Sequence, residues 1–261
     1  MNDAIGGKEE VSALARGLAL LKVIGMAAAP ISNRDLAETT GIPKATVSRL
    51  TATLVAAGYL KQSQDSDRFS LGPALLDMSS RYLRHFDLRT VARPHLAELS
   101  EFAGASVHVA VRDDLDMLVI DSLRPRSALI SSRLDVGTRM SIVTSAAGRA
   151  SLAALPEAER AAVLEKIQQE SGESWASIEP RLMAGLDEYA RLGYCSSFGE
   201  WHPHIHALGF ALQGPHGERY GVSCGGPAYL LSKDMMLSRV APRLLEVAKR
   251  ISAETGVIGA D

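Results

Sequence analysis

The sequence predicts an α+β fold in two parts: a small helical N-terminal domain closed by a hairpin, and a larger C-terminal domain of mixed strands and helices. Three observations carry this. Apolar residues over positions 12–58 recur at helical spacing and are interrupted by Pro and Gly. From about residue 105 the texture changes to alternating or continuous apolar runs with turns between them, interleaved with helical stretches. Charge divides along the same line. Residues 11–85 carry nine Lys or Arg against five Asp or Glu, while the whole chain of 261 residues has a formal net charge of −2. A basic part joined to an acidic remainder suits one domain that meets phosphate and one that does not.

In residues 12–28, Leu14, Leu18, Leu21 and Ile24 fall at helical spacing, and Pro30 stops the helix. Ser32 is a candidate N-cap for the next helix, with Asp35 three residues on in a capping-box-like pattern. Gly41 suits a left-handed stop, and Pro43 suits the first turn of a third helix, where its missing N–H costs nothing. On that helix Val47, Leu50 and Leu54 line one face, while Lys44, Ala45, Ser48, Arg49 and Ala52 lie elsewhere. Gly58 ends it. "YLKQ", the turn-like "SQDSD" and "RFSL" then read as a hairpin.

Helix, tight turn, helix, hairpin is the pattern of a winged helix-turn-helix, predicted here over residues 10–72. The Gly-Ile-Pro break sets the angle between the two helices. The restarted helix presents short polar and cationic groups at its N-terminal end, where they reach base edges in a major groove. Lys44, Ala45, Thr46, Ser48 and Arg49 are the candidate contacts, Arg49 foremost. Amides near Ser32 and Lys44 suit phosphates, and Lys61 and Arg68 on the wing reach the flanking backbone or minor groove. The competing readings are a plain helical subdomain, or a motif that binds protein instead of DNA.

Residues 73–88 are predicted as a linker helix. Leu75, Met78 and Tyr82 share one stripe there, suited to pairing with a second copy. "DLRTVARPHLAELSEFAG" follows as a helix in which Pro94 marks a kink or fresh start. The C-terminal domain is assigned to residues 89–256. "ASVHVAVRDD", "DMLVIDSLR" and "SALISSRL" are its first strands; "SAAGRASLAAL", "PEAERAAVLEKIQQ" and "IEPRLMAGLDEYARLG" are helices. "YCSSF", "HALGFALQG" and "RYGVSCGG" are later strands, the last two joined by a turn at "PHGE". A long helix from Ser232 to about Glu254 closes the fold.

Hydrophobic content of 46% and a mean hydropathy of +0.04 fit a soluble globular protein. Cys195 and Cys224 form neither a disulfide framework nor a C-x-x-C zinc pattern. The first residues hold no apolar signal core and no run reaches membrane-spanning length, so a reduced, cytoplasmic protein without a membrane partner is expected. Two motifs invite an enzyme or metal reading. "GVSCG" matches G-x-S-x-G, but Gly-Gly-Pro follows where a helix is needed, and the last histidine, His216, precedes Ser223. If "HPHIH" is extended, His202, His204 and His206 alternate onto one face at a spacing a metal can use. Pro203 argues for an edge or loop, and hydrogen bonding to a ligand is the alternative. His108 and Arg133 are further strand residues, and an Arg near a pocket can pair with a ligand carboxylate.

Taken in order, several segments resemble the IclR family of bacterial transcription regulators: "GIPKATVSRLTATLVAAGYL", "FSLGPALLDMSSRYL" with "DLRTVARPHLAEL", "TSAAGRASLAALPEAER", "RLGYCSSFGEW" and "GVSCGGPAYLLS". The resemblance implies a winged helix-turn-helix, a C-terminal GAF-like effector-binding domain, and dimers or dimers of dimers on palindromic operators in double-stranded DNA. It implies a regulator controlled by a small-molecule effector, an organic or aromatic acid from a catabolic pathway, with no catalytic activity and no cofactor. The implied effector set is Ala147, Gly148, Ser197, Phe198, His202, His206, Phe210 and Ser223. Ser197 and Phe198 stand where the family often has Asp, Ala207 where it often has Cys, and Gly225 in place of a second serine. Phe198, Trp201 and Phe210 therefore point to a larger, aromatic ligand.

Overall fold

The computed structural model describes residues 11–84, 88–126, 134–214 and 217–255, in two compact units that divide between His85 and Phe86. The division falls inside the predicted linker.

The N-terminal unit runs α1 (Ser12–Met26), β1 (Ile31–Ser32), α2 (Asn33–Thr40), α3 (Lys44–Ala56), β2 (Leu60–Gln62), β3 (Arg68–Leu71) and α4 (Pro73–Arg84). β2 and β3 form the predicted hairpin. β1 adds to β3 as a third antiparallel strand, giving the order β1-β3-β2. Two residues are too few to leave a period-2 pattern, so the sequence shows no trace of β1. Leu20, Ile24, Leu36, Ile42, Val47, Leu60 and Phe69 make the core.

The capping box is present. The Asp35 N–H donates to Ser32 Oγ at 3.2 Å, and the Ser32 N–H donates to Asp35 Oδ2 at 3.3 Å. Gly41 has φ +70°, the left-handed stop. Pro43 corrects the sequence reading: it is the N-cap of α3, not a first-turn residue. Its ψ of 135° is extended, and its carbonyl accepts the N–H groups of Thr46 and Val47 at 2.8 and 3.0 Å. On α1 the buried positions are Gly17, Leu20 and Ile24, whereas Leu14 and Leu18 are 63% and 51% exposed. The helix carries two apolar stripes, and only one serves this core. On α4, Met78 and Tyr82 are likewise exposed.

The C-terminal unit runs α5 (Leu88–Ala103), β4 (Ser106–Asp113), β5 (Asp116–Leu123), β6 (Arg139–Ser141), α6 (Ala146–Ala153), α7 (Glu157–Ser171), α8 (Trp175–Leu192), β7 (Cys195–Phe198), β8 (Ile205–Gln213), β9 (Arg219–Pro227), α9 (Lys233–Met235) and α10 (Ala241–Thr255). The strand expected over "SALISSRL" lies outside the described residues except for Leu134. Pro94 sits inside α5. α8 begins at Trp175, ahead of the expected "IEPRLM" start, because a 3₁₀ turn at Gly172–Ser174 leads straight into it and Pro180 is accommodated inside. The long closing helix is interrupted by a π-helical turn at Met236–Val240.

The sheet is antiparallel throughout, in the order β6-β5-β4-β9-β8-β7. Period-2 alternation gives it two faces. His108 pairs with Ser223, and Ser223 with Gly209, so these residues share one face with Ala207 and Ser197. α6 covers that face, with α7 and α8 behind it around Ala110, Met117, Val119, Ile142, Leu152, Ile167 and Leu182. Leu208, Phe210, Val222 and Cys224 point to the other face, which α5 and α10 cover.

α6 lies close against the sheet because two strand positions lack side chains. A Cβ on Gly209 would fall 2.4 Å from the Ala146 carbonyl group, and one on Gly221 would fall 2.5 Å from the Ala147 oxygen. Both obstacles are backbone, which cannot rotate away. Gly209→Ala is therefore expected to destabilise the C-terminal unit by about 1–3 kcal/mol, read as a lowered urea midpoint.

Candidate functional site

The exposed N-terminal turns of α3 form one candidate site. Lys44, Ala45, Ser48 and Arg49 are exposed and Thr46 is half-buried, while Val47 is fully buried and anchors the opposite face. Among the described residues the side chains of Lys44, Arg49 and Lys61 form no hydrogen bond or ion pair, which leaves their charges available. Two predicted contacts are committed to the frame instead. The Ser32 hydroxyl donates to Asp35 Oδ2 at 2.8 Å as part of the cap. Arg68 Nη1 donates to the Pro30 carbonyl at 2.9 Å and lies 3.7 Å from Asp35, fastening the wing to the start of α2. Thr51, which sequence reasoning passed over, is buried on α3. Its hydroxyl lies 3.0 Å from Asn33 Oδ1 and 3.0 Å from the Val47 carbonyl, fixing α2 against α3. The only sequence signal was a polar residue four positions beyond Val47 on the buried stripe.

The second candidate is a cavity between the sheet and the start of α6. Its lining includes His108, Ser145, Ser197, Trp201, Ala207 and Ser223, with Leu134, Met140 and Gly225 alongside. It is narrow: about 30 Å³ is open to the centre of a water-sized sphere, room for about two waters. Of the predicted effector set, the structure brings Ser197 and Ser223 together here. Ala147 and Gly148 lie just beyond, buried in the first turn of α6, where Ser145 caps the helix by accepting the Gly148 N–H at 3.1 Å.

The remaining predicted residues are not brought to the cavity. Phe198 and His206 stack edge-on at 5.1 Å on the opposite face of the sheet, and His206 Nδ1 contacts the Leu231 carbonyl at 2.7 Å. Phe210 is a core residue, 1% exposed, on that same opposite face. Strand parity is the reason: Ser197 and Ala207 face inward, so their neighbours Phe198 and His206 cannot. The expected aromatic lining thus reduces to Trp201. His202 and His204 are exposed in a turn before β8, so "HPHIH" is not one extended run. Among the described residues no three His, Cys, Asp or Glu side chains are grouped to hold a metal ion. Ser223 sits in the middle of β9 rather than at a strand-to-helix elbow.

Arg149, also missed in the sequence, braces the turn next to the cavity. It projects from α6 and is 3% exposed. Nε donates to the Val143 carbonyl at 2.7 Å, and Nη1 to the Ser196 carbonyl at 3.1 Å and Glu200 Oε1 at 3.0 Å; Nη2 donates to Glu200 Oε2. This clamp ties α6 to the turn that carries Trp201.

His108 is the cavity's buried titratable group, 3% exposed. Burial, then the positive charge of Arg124, push its pKa down from 6.5 to about 4, against smaller opposing effects of the Leu134 carbonyl and Asp135. The imidazole is neutral at pH 7. The unfolded chain takes up this proton first on acidification, so the stabilisation is complete above about pH 6.5 and is lost as pH falls towards 4. Wild type is expected to lose about 3 kcal/mol more than His108→Leu between pH 7 and pH 4, measured by urea unfolding across that range. The two cysteines are inert by comparison: burial raises both thiols, Cys224 to about 12.

Known proteins share this architecture. The family description "Bacterial transcriptional regulator IclR C-terminal" matches residues 80–253, and "IclR helix-turn-helix domain" matches residues 13–64. The crystal structure of an IclR family transcriptional regulator from Brucella abortus is 34% identical, with a TM-score of 0.86 over 97% of this chain and 96% of that one. The HTH-type transcriptional regulator TsaQ1/TsaQ2 of Comamonas testosteroni is 32% identical over 94% of this chain and 88% of its own. An IclR homologue from Microbacterium hydrocarbonoxydans, solved in complex with 4-hydroxybenzoate, shares the fold at 21% identity and a TM-score of 0.75, covering 94% of this chain and 100% of that one. These relatives are named as regulators, not enzymes, and the helix-turn-helix surface here is that of a DNA-binding protein. The chain belongs to the IclR family of bacterial transcriptional regulators.

Proposed function

We propose that this regulator reads a palindromic operator with α3 and that a small organic acid in the C-terminal cavity sets its affinity for that operator. The observation that carries the reading is the pairing, in one chain, of two unlike sites. One is an exposed turn bearing the uncommitted cations Lys44 and Arg49. The other is a narrow, largely apolar cavity into which three serines and an imidazole are set. Phosphate neutralisation by Lys44, Arg49 and Lys61 supplies salt-dependent affinity, and side chains over Thr46–Arg49 supply sequence preference. The acid is favoured because the cavity opens on the N-terminal turn of α6, where the helix dipole attracts negative charge. The 4-hydroxybenzoate complex of the Microbacterium relative supports an acid in this fold.

The active species is a cytoplasmic homo-oligomer, a dimer or dimer of dimers. The second apolar stripe of α1 and the exposed stripe of α4 support self-association, since neither is covered within the chain's N-terminal core. The effector shifts the equilibrium by binding one arrangement of the linked domains better than another.

Footprinting of DNA upstream of neighbouring genes, with and without organic acids, tests the reading. A protected palindrome whose occupancy changes with one of the acids is expected. Protection that no acid alters removes the effector half of the proposal, and no protection over random duplex removes the whole.

A further inference from the structure

We infer that the hydrogen bond between Asn33 and Thr51 sets the roll of α3 about its own axis, which makes the pair positioning residues for sequence reading by that helix. This rests on the proposed reading of an operator by α3 and deepens it.

α3 is seated on two fully buried positions, Val47 and Thr51, one turn apart. Val47 belongs to the apolar core with Leu36, Ile42 and Phe69. Apolar attraction has no direction, so such contacts hold a helix down without fixing its rotation. Thr51 is different. It is 1% exposed, and its hydroxyl lies 3.0 Å from the Val47 carbonyl, 3.1 Å from the Ser48 carbonyl and 3.0 Å from Asn33 Oδ1. The two carbonyls lie within α3 itself. The contact with Asn33 is the one hydrogen bond, among the described residues, that joins α2 to α3.

Asn33 stands on a braced part of the unit. It directly follows Ser32, which pairs with Arg68 across β1 and β3 and closes the capping box with Asp35. Arg68 Nη1 fastens the same place by donating to the Pro30 carbonyl at 2.9 Å. A bond from this frame to the third turn of α3 is a directional stop on rotation. A valine at position 51 would fill about the same space without burying a hydroxyl, and a hydroxyl bonded back to its own helix does not strengthen that helix. What Thr51 adds is direction, in the way that a buried polar pair fixes a register that apolar packing leaves loose.

Lys44, Ser48 and Arg49 project from the exposed side of the same helix. With side chains a helix is about 5–6 Å in radius, so a roll of about 20° moves a side-chain tip by about 2 Å. That carries a hydrogen bond to a base edge out of range. Attraction between a cation and a phosphate falls off more gently with distance. A rolled α3 therefore keeps its general affinity for DNA and loses its preference among sequences.

The test uses the full-length protein and two probes: the duplex that wild type selects from a random-sequence pool, and the unselected pool. Affinity for both is measured by fluorescence anisotropy for wild type, Thr51→Val, Thr51→Ser, Asn33→Ala and the Asn33→Ala/Thr51→Val double variant. Thr51→Val and Asn33→Ala should each cut the preference for the selected duplex by about 10-fold or more. Affinity for the pool, and its salt slope, should stay within about twofold of wild type. The double variant should lose no more than the worse single variant, because both remove the same bond. Thr51→Ser keeps the hydroxyl and should keep the preference. Preference retained in Thr51→Val, losses that add in the double variant, or a Thr51→Ser as impaired as Thr51→Val overturns the inference. An equal loss on both probes makes the bond a folding contact and overturns it as well. A wild type that enriches no duplex from the pool reads no sequence at all, which is the failure of the underlying reading and takes the inference with it.

Discussion

Arg49→Ala is expected to weaken specific operator binding by roughly 100-fold or more while leaving both units folded. Arg49 is exposed on the second turn of α3, one residue beyond Ser48 and on the opposite side from buried Val47. Among the described residues nothing bonds to its guanidinium, so its removal is expected to leave the packing and the circular dichroism spectrum unchanged. A bidentate contact to guanine or a phosphate clamp is worth about 1–3 kcal/mol, and a symmetric dimer loses it in each half-site. The salt dependence distinguishes the two: a phosphate contact lowers the slope by about 1 per site, and a base contact leaves it nearly unchanged. Gel-shift or anisotropy titrations over a series of salt concentrations give both numbers. Unchanged affinity for operator would remove α3 from the interface.

Glu200→Ala is expected to have the largest effect on stability, about 3 kcal/mol lost from the C-terminal unit. The Arg149 side chain is 4% exposed and cannot leave the interior, since it threads between α6 and Gly185 of α8. With Glu200 gone its charge is left to two backbone carbonyls. Removing one member of a buried pair costs about 3–5 kcal/mol, and the lower end applies because Glu200 itself is 28% exposed. Replacing Arg149 and Glu200 together by apolar residues should recover part of the loss, because no uncompensated charge remains. Urea unfolding of the single and double variants measures this. A neutral Glu200→Ala would show that water already solvates Arg149.

What was legible in the sequence followed from local rules. The capping box at Ser32, the left-handed Gly41 and the Val47 stripe each act within one turn of helix, so residue types alone announced the helix-turn-helix. The exposed face of α3 followed from the same periodicity. The cavity was only half legible. Ser197 and Ser223 were named, but Phe198, His206 and Phe210 were assigned to it although parity turns all three to the far face. Parity depends on where β8 begins, and "HPHIH" obscured that start by suggesting an extended run where the chain turns. His108 and Arg149 matter through partners 115 and 51 residues away, Ser223 and Glu200, and no local pattern reports such distances. The glycines that seat α6 were visible as residues, but their purpose appears only when α6 lies 2.4 Å from an imagined Cβ.

The central claim is that occupancy of the C-terminal cavity and DNA binding by α3 are coupled, and coupling is reciprocal. Calorimetric titration of an effector into the full-length protein, free and saturated with its operator duplex, measures this directly. Effector affinity should differ between the two titrations by the same factor by which the effector alters operator affinity. Identical effector affinity with and without operator DNA would contradict the account.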